Sequence, residues 1–247
     1  MSALLRAELI KLSTTRTFVA LAAAALATSL LITTLVATLS EPTAGSVLTD
    51  VFLSDTSGLF VMILGIIGIA GEWRHRTITS SLLAAPLRVR FLTAKLLAYS
   101  IAGILMSAAV SLAVAAVGWA VLSARDLPLP ESGELAGQIA RTVPVALLPG
   151  AFGVALGSVL RNPTAAIIVV LLLGFAIEPA VINIDPEIGK FGPTTALPAA
   201  VSDMDASDLG FDELELLSPG VALLALLGWI GGLFALGAVL LRARDLD

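Results

Sequence analysis

The side chains that could do chemistry in this chain are few, and the largest group of cations lies in one polar segment, Gly71 to Lys95. The segment separates two long apolar stretches and carries five of the 14 Lys and Arg residues. The chain has no Cys and one His, His75, which excludes thiolate chemistry and leaves a His-dependent triad without a convincing nucleophile or acid. No Lys stands in a G-x-x-x-x-G-K-[ST] phosphate-binding loop. These residues predict binding rather than catalysis, with no metal and no cofactor held by this chain.

The composition indicates that the elements around this segment lie in a membrane. Of 247 residues, 57% are hydrophobic and 13% charged, with a mean hydropathy of +1.00, whereas soluble domains are about 25% charged. A bilayer core requires about 20 apolar helical residues, and six segments approach that length. Their continuous hydrophobicity favours an all-α bundle over a β-barrel. We therefore predict one transmembrane domain, residues 1–247, with spans at 17–39, 56–71, 96–122, 142–160, 164–184 and 219–241.

The cations predict the orientation of this bundle. With the N-terminus inside, the cytoplasmic segments are 1–16, 72–95, 161–163 and 242–247, and they hold eleven of the 14 Lys and Arg residues. The outer connections hold most of the acids, including those of the long segment 185–218. Because short cytoplasmic loops are enriched in Lys and Arg, both termini are predicted to be cytoplasmic. The eleven cations are Arg6, Lys11, Arg16, Arg74, Arg76, Arg88, Arg90, Lys95, Arg161, Arg242 and Arg244.

The N-terminal segment predicts a helix of its own. Its apolar continuation is about 23 residues long, whereas the apolar part of a signal peptide has about 7 to 15, so we expect it to be retained as the first span. Before that span, Leu5, Leu9 and Leu12 fall on one helical stripe. This pattern is typical of a helix lying in the membrane interface. A charged anchor without defined structure is the alternative.

From Glu72 onward, the polar segment resembles the loop after the second span in permease subunits of type-2 ATP-binding-cassette (ABC) exporters. In that family the loop begins with Glu, contains a Gly-Thr pair in a short helix, passes a Pro and basic residues, and enters the third span near a Lys. Arg76 stands here where the family has glycine. The sequence LRNPTAAI from Leu160 resembles the family's turn between spans four and five. The matching loop positions are Glu72, Thr77, Ile78, Pro86, Arg88, Phe91, Leu92 and Lys95.

The resemblance implies a permease subunit of an ATP-driven exporter in a bacterial cytoplasmic membrane, with an elbow helix before span one. A separate ABC ATPase subunit would bind ATP and Mg, and a second copy or a related permease would complete the transport unit. Membrane lipids would be further partners, with no role for nucleic acid. The few charges and aromatic residues of the spans favour a lipid, hydrophobic peptide or amphiphilic drug as substrate.

The same resemblance implies that a short coupling helix in the loop docks on the ATPase. We expect Ile78 and Leu82, at i and i+4, to form its apolar knob. Glu72 would accept backbone hydrogen bonds or pair with Arg76. Simple anchoring of the loop by its arginines is the alternative. The residues expected to couple to the ATPase are Glu72, Arg74, Arg76, Thr77, Ile78, Leu82 and Arg88, with Arg90 completing the ring of cations.

The outer half of the chain offers one intramembrane carboxylate, Glu178, followed by Pro179. Such a group marks a functional site by default, but the helix could also end there at the interface. The resemblance implies a re-entrant hairpin at 191–201 near an outer gate, with a solvated loop as the alternative. Rival functions are an ion-coupled transporter that uses Glu178 and a non-transporting immunity or scaffold protein. The residues expected along the translocation path or gate are Phe60, Phe175, Glu178 and Phe191.

Overall fold

The computed structural model describes residues 1–43, 46–52, 55–84, 87–211 and 214–243. This part of the chain is all-helical and contains no strand. Pro86 and Arg244, named above, and two acids of the segment 185–218, Asp212 and Glu213, lie outside the described residues. Short π-helical segments occur at Leu48–Phe52 and Leu173–Ile177, and a 3-10 turn at Ala206–Leu209. The α-helices are α1 Ser2–Thr14, α2 Arg16–Leu39, α3 Ser57–Arg74, α4 Ile78–Ala84, α5 Arg88–Ala124, α6 Ser132–Ala146, α7 Leu148–Leu160, α8 Pro163–Leu172, α9 Glu178–Ile184, α10 Pro186–Gly189, α11 Ala196–Val201 and α12 Pro219–Ala243.

Among the described residues, five helical segments are long and apolar enough to cross a bilayer, as in a multi-pass membrane protein. Much of their surface is apolar and exposed, as at Leu31 and Leu224, which is the surface that hydrocarbon would solvate. The fourth of them is continuous through α8, the π-helical segment and α9. The five segments are Arg16–Leu39, Ser57–Arg74, Arg88–Ala124, Pro163–Ile184 and Pro219–Arg242.

The predicted fourth span, 142–160, is divided between two helices, which corrects the expectation of one continuous span. Residues 142–146 belong to α6, and α7 begins at Leu148. Pro149 lacks an amide hydrogen and cannot donate to the carbonyl of Val145, so the helix restarts there. The 13 residues of α7 extend about 20 Å, well short of a bilayer core of about 30 Å. Nearly all of α7 is buried among other helices, which explains its hydrophobicity without lipid contact.

The third span is longer than predicted, and the polar loop before it is correspondingly shorter. Helix α5 has 37 residues and a length of about 55 Å, against the predicted 96–122. Its first turns include Arg88 and Arg90, so the loop assigned to 72–95 is mostly helical. Lys95 therefore lies two turns inside a rigid helix rather than at its beginning.

The core of the bundle is the contact of α7 with α3, and it depends on glycine. A Cβ atom on Gly65 of α3 would lie 2.6 Å from the carbonyl oxygen of Gly150. A Cβ atom on Gly153 would collide with the carbonyl of Met62. These glycines let the two backbones touch, as small residues commonly do in membrane helices. Gly153 and Gly157 of α7 therefore both pack against α3 within the chain.

Helix α1 packs on the protein instead of presenting its leucine stripe freely. It is separated from α2 by Thr15, which has an extended backbone. Leu12 is buried, and Leu5 and Leu9 pack on the same apolar cluster, which includes Phe91 of α5. The stripe predicted from the sequence is thus the face that α1 turns toward the beginning of α5.

Candidate functional site

Four charged side chains meet where α1, α3 and α5 come together, and we call Glu8, Lys11, Glu72 and Lys95 the four-charge cluster. The Lys95 ammonium lies 2.8 Å from Glu8 Oε2 and 2.8 Å from Glu72 Oε1. It also donates to the carbonyl of Gly68 at 3.0 Å. Lys11 forms a second ion pair with Glu72. The cluster therefore ties three separate elements of the chain to one another.

Burial makes this cluster energetically important. The Lys95 side chain is 0% exposed and that of Glu72 is 4% exposed. An unpaired charge at such a position costs several kcal/mol, but the three ammonium hydrogens of Lys95 have three acceptors. The two positive and two negative charges also cancel. Within the described residues, Glu72 Oε2 is buried and has no hydrogen-bond partner, so one acceptor of the cluster is unused.

Lys11 is the cluster member closest to solvent, with about half of its side chain exposed. Partial burial works against its charged form, but the hydrogen bond to Glu72 and the attraction of Glu72 and Glu8 outweigh that effect. The pKa of Lys11 is therefore raised above its ordinary value. Lys11 remains a cation throughout the physiological range, and the cluster keeps its neutral sum.

The predicted apolar knob of the coupling helix points inward, which corrects the expectation for Ile78 and Leu82. Both side chains are buried in the apolar cluster that contains Leu12 and Phe91. Helix α4 has seven residues, and its i, i+4 stripe is buried in that cluster. Leu83 remains at the surface with 81% exposure. The stripe could be predicted from the sequence, but its burial within the chain could not.

The turn before α4 has an unusual backbone conformation at Arg76. Arg76 has φ = 54°, in the left-handed region that favours glycine. The amide of Thr77 donates to the backbone carbonyl of Glu72 at 2.9 Å. The Glu72 carboxylate pairs with Lys11 and Lys95. It therefore takes neither of its expected roles, which were to accept backbone hydrogen bonds or to pair with Arg76. Arg74, Arg76 and Thr77 are exposed.

Two other predicted cytoplasmic arginines hold the end of α12. Arg88 donates to the carbonyl of Leu241 and, at 3.3 Å, to that of Arg242. Arg161 donates to the carbonyl of Leu240 at 2.7 Å and lies 4.1 Å above the ring of Trp73. Cations at a helix C-terminus satisfy carbonyls that have no partner within the helix. Arg88, expected to couple to a partner, is thus engaged within the chain.

Glu178 is an anchor for the segment that follows it. Its side chain is buried at 4% exposure, and the helix continues to Ile184, which corrects the interfacial alternative. The carboxylate accepts hydrogen bonds from the amide of Thr194 at 2.8 Å, its hydroxyl at 2.6 Å and the amide of Thr195 at 2.7 Å. These hydrogen bonds tie residues 194 and 195 to the beginning of α9.

The segment after α9 folds back along the preceding helix. A Cβ atom on Gly174 would lie 3.1 Å from Thr194 Oγ1. Because Gly174 lies about 15 Å before Ile184 along the helix, the chain after Ile184 folds back over that distance. Trp229 of α12 donates to the carbonyl of Phe191 at 3.1 Å. Residues 191–201, the segment of the expected hairpin, thus pack against the bundle and do not form a solvated loop.

A cavity of about 370 Å³ lies between α3, α5, α6, α7 and this hairpin. Phe175 lines it, whereas Phe60, Glu178 and Phe191 do not. Asp55, just before α3, is the one charged side chain that lines it among the described residues. Asp55 was not among the site residues predicted from the sequence. Two serines one helical turn apart on α5, Ser107 and Ser111, were the available signal, because polar residues in an apolar helix usually face a partner.

Comparisons with known proteins do not assign this chain. No protein-family model matches it, and no curated protein matches it.

Proposed function

We propose that this chain is the six-span permease subunit of an ATP-driven exporter, with both termini in the cytoplasm, and that a separate ATPase subunit docks on α4. The observation that carries the proposal is the four-charge cluster. It joins α1, the end of α3 and the beginning of α5 beside the exposed cationic turn at Arg74 and Arg76. A partner bound at this turn would act on three elements at once.

The packing of α4 supports this mechanical role. Ile78 and Leu82 share one apolar cluster with Leu12 of α1 and Phe91 of α5. Displacement of α4 would therefore move α1 and the beginning of α5 with it, because close-packed cores transmit strain. ATP-dependent closure of two ATPase subunits could shift the equilibrium between inward-facing and outward-facing states in this way. The unused acceptor on Glu72 is available to a donor in the second state.

Contacts at one end of the bundle support the topology. Segment 1–16 meets α3 and α5 through the four-charge cluster. Arg88 and Arg161 both reach the C-terminal turn of α12. The segments that the cation distribution assigns to the cytoplasm are therefore neighbours in space. In the six-span arrangement α7 makes the fourth crossing, with α6 as its outer continuation.

The docking surface consists of Leu83 with Arg74 and Arg76. Leu83 is a large apolar side chain that is 81% exposed within the part of the chain that the structure describes, and the two arginines are exposed in the turn before α4. A groove with an apolar floor and acidic rim on the ATPase fits this surface. Anchoring to anionic lipid headgroups needs only the two cations and makes no use of Leu83.

The experiment that tests the proposal measures ATPase coupling in the complex purified from native membranes. Leu83→Asp should abolish ATPase copurification and substrate-stimulated hydrolysis, and Arg74→Glu with Arg76→Glu should weaken both. Leu129→Asp, at an exposed leucine beyond the far end of α5, is the matched control. Normal coupling with Leu83→Asp would refute docking at α4. Loss with the arginine changes alone would favour the anchoring alternative.

A further inference from the structure

The cavity beside α3 has the size and lining of a ligand site. Its volume of about 370 Å³ falls within the range of about 300 to 1,000 Å³ that small-molecule sites occupy. Most of its lining is apolar, including Met62, Val170 and Phe175, and a few hydroxyl and amide groups such as Gln138 and Thr142 interrupt it. A mostly apolar pocket with a few polar groups suits a molecule with a large apolar body.

Asp55 gives this cavity its charge. Its Oδ2 accepts hydrogen bonds from the hydroxyls of Ser107 at 3.0 Å and Ser111 at 2.7 Å, and its Oδ1 accepts from the amide of Ser57 at 2.8 Å. A carboxylate has about four acceptor positions, so three donors leave room for a ligand.

No cation within the described residues pairs with Asp55. Arg141, which adjoins the lining residue Thr142, lies 3.5 Å from Asp203, and neither of the two lines the cavity. A carboxylate against an apolar wall is costly unless a positive charge compensates it. Asp55 therefore offers a charge with which a bound cation would pair.

We propose that the cavity binds a lipophilic cation, whose apolar body fills the pocket and whose charge pairs with Asp55. The proposal deepens the exporter function by naming its substrate class, and it rests on that function only for the step from binding to transport. The hydroxyls of Ser107 and Ser111 hold the carboxylate at the cavity wall. Selectivity is therefore for charge sign and apolar size rather than for a particular pattern of hydrogen bonds.

The test uses two ions of nearly equal shape and opposite charge. Tetraphenylphosphonium and tetraphenylborate are titrated by calorimetry into the purified full chain in nonionic detergent, without any ATPase, and the detergent alone gives the background. We expect saturable binding of the phosphonium ion and no competition by the borate. Asp55→Asn should weaken the affinity at least tenfold, whereas the matched change Asp126→Asn, at an exposed carboxylate outside the cavity, should leave it unchanged.

A second variant covers the case in which Asp55→Asn loses the fold, since Asp55 also holds the first turn of α3. Gln138→Trp adds bulk to the lining of the cavity, changes none of the hydrogen-bond donors to Asp55 and should abolish phosphonium binding. Equal binding of the two ions by the unmodified chain, or full binding by Gln138→Trp, overturns the proposal. Binding through Asp55 without a copurifying ATPase would contradict the exporter function and support this inference. An ATPase complex that binds the two ions without charge preference would support the exporter function and contradict this inference.

Discussion

Lys95→Met is the change that most directly tests the four-charge cluster. Methionine keeps the apolar stem of the side chain but removes the ammonium that joins Glu8 and Glu72. Breaking a buried ion pair by removing one partner costs about 3 to 5 kcal/mol. Lys11 stays beside Glu72 and compensates part of the remaining charge, so we expect a loss near the lower limit, about 3 kcal/mol.

The assay is equilibrium unfolding in mixed micelles, followed by the fluorescence of the chain's three tryptophans. The matched control is Lys190→Met, because Lys190 also pairs with a glutamate, Glu187, but at the protein surface. Surface pairs contribute about 0 to 1 kcal/mol. The double change Lys95→Met with Glu72→Gln should cost less than the sum of the single changes, by about 1 to 3 kcal/mol. Equal losses for Lys95→Met and Lys190→Met would refute the assigned importance of the cluster.

Three further predictions concern the turn, the hairpin and pH. Arg76→Gly should stabilise the protein by about 1 kcal/mol in the same assay, because glycine adopts φ = 54° without steric cost; a loss of stability would contradict the assigned strain. Gly192→Ala should loosen the hairpin and raise amide exchange at 192–195, because its Cβ atom would lie 2.6 Å from Glu178 Oε2; unchanged exchange would contradict this packing. Lys11→Met should cost less than Lys95→Met, and the raised pKa of Lys11 has a defined sign. Its contribution is complete below the ordinary value of 10.5 and disappears only as pH rises through the raised value, so the difference from the unmodified chain should be constant between about pH 7 and pH 9.

Hydropathy predicted the helical class and the approximate position of five spans, because lipid exposure and burial both select apolar residues over a helix-long stretch. It did not predict that the fourth span is divided just before α7. That helix is apolar because other helices surround it, and Pro149 separates it from α6. Pattern alone does not distinguish a lipid-facing segment from a buried one.

The polar segment shows what a single sequence can and cannot provide for a site. The i, i+4 pair of Ile78 and Leu82 predicted a stripe, but a period does not identify the element that covers it. The contact of Lys95 with Glu8 joins residues 87 positions apart, and nothing local to either residue indicates it. Arg76 stands where the resembled family has glycine, but no backbone conformation was predicted from that difference. The backbone there is left-handed.

Site-specific photocrosslinking is the most direct test of whether an ATPase subunit docks on α4. The natural chain has no cysteine, so Leu83→Cys and the control Leu129→Cys each provide one attachment point for a benzophenone maleimide. We predict that Leu83→Cys, in native membranes, crosslinks to a protein with a phosphate-binding loop and ATPase activity, and that Leu129→Cys does not. Crosslinking of Leu83→Cys to lipid alone, or equal capture of the ATPase by both variants, would contradict the claim.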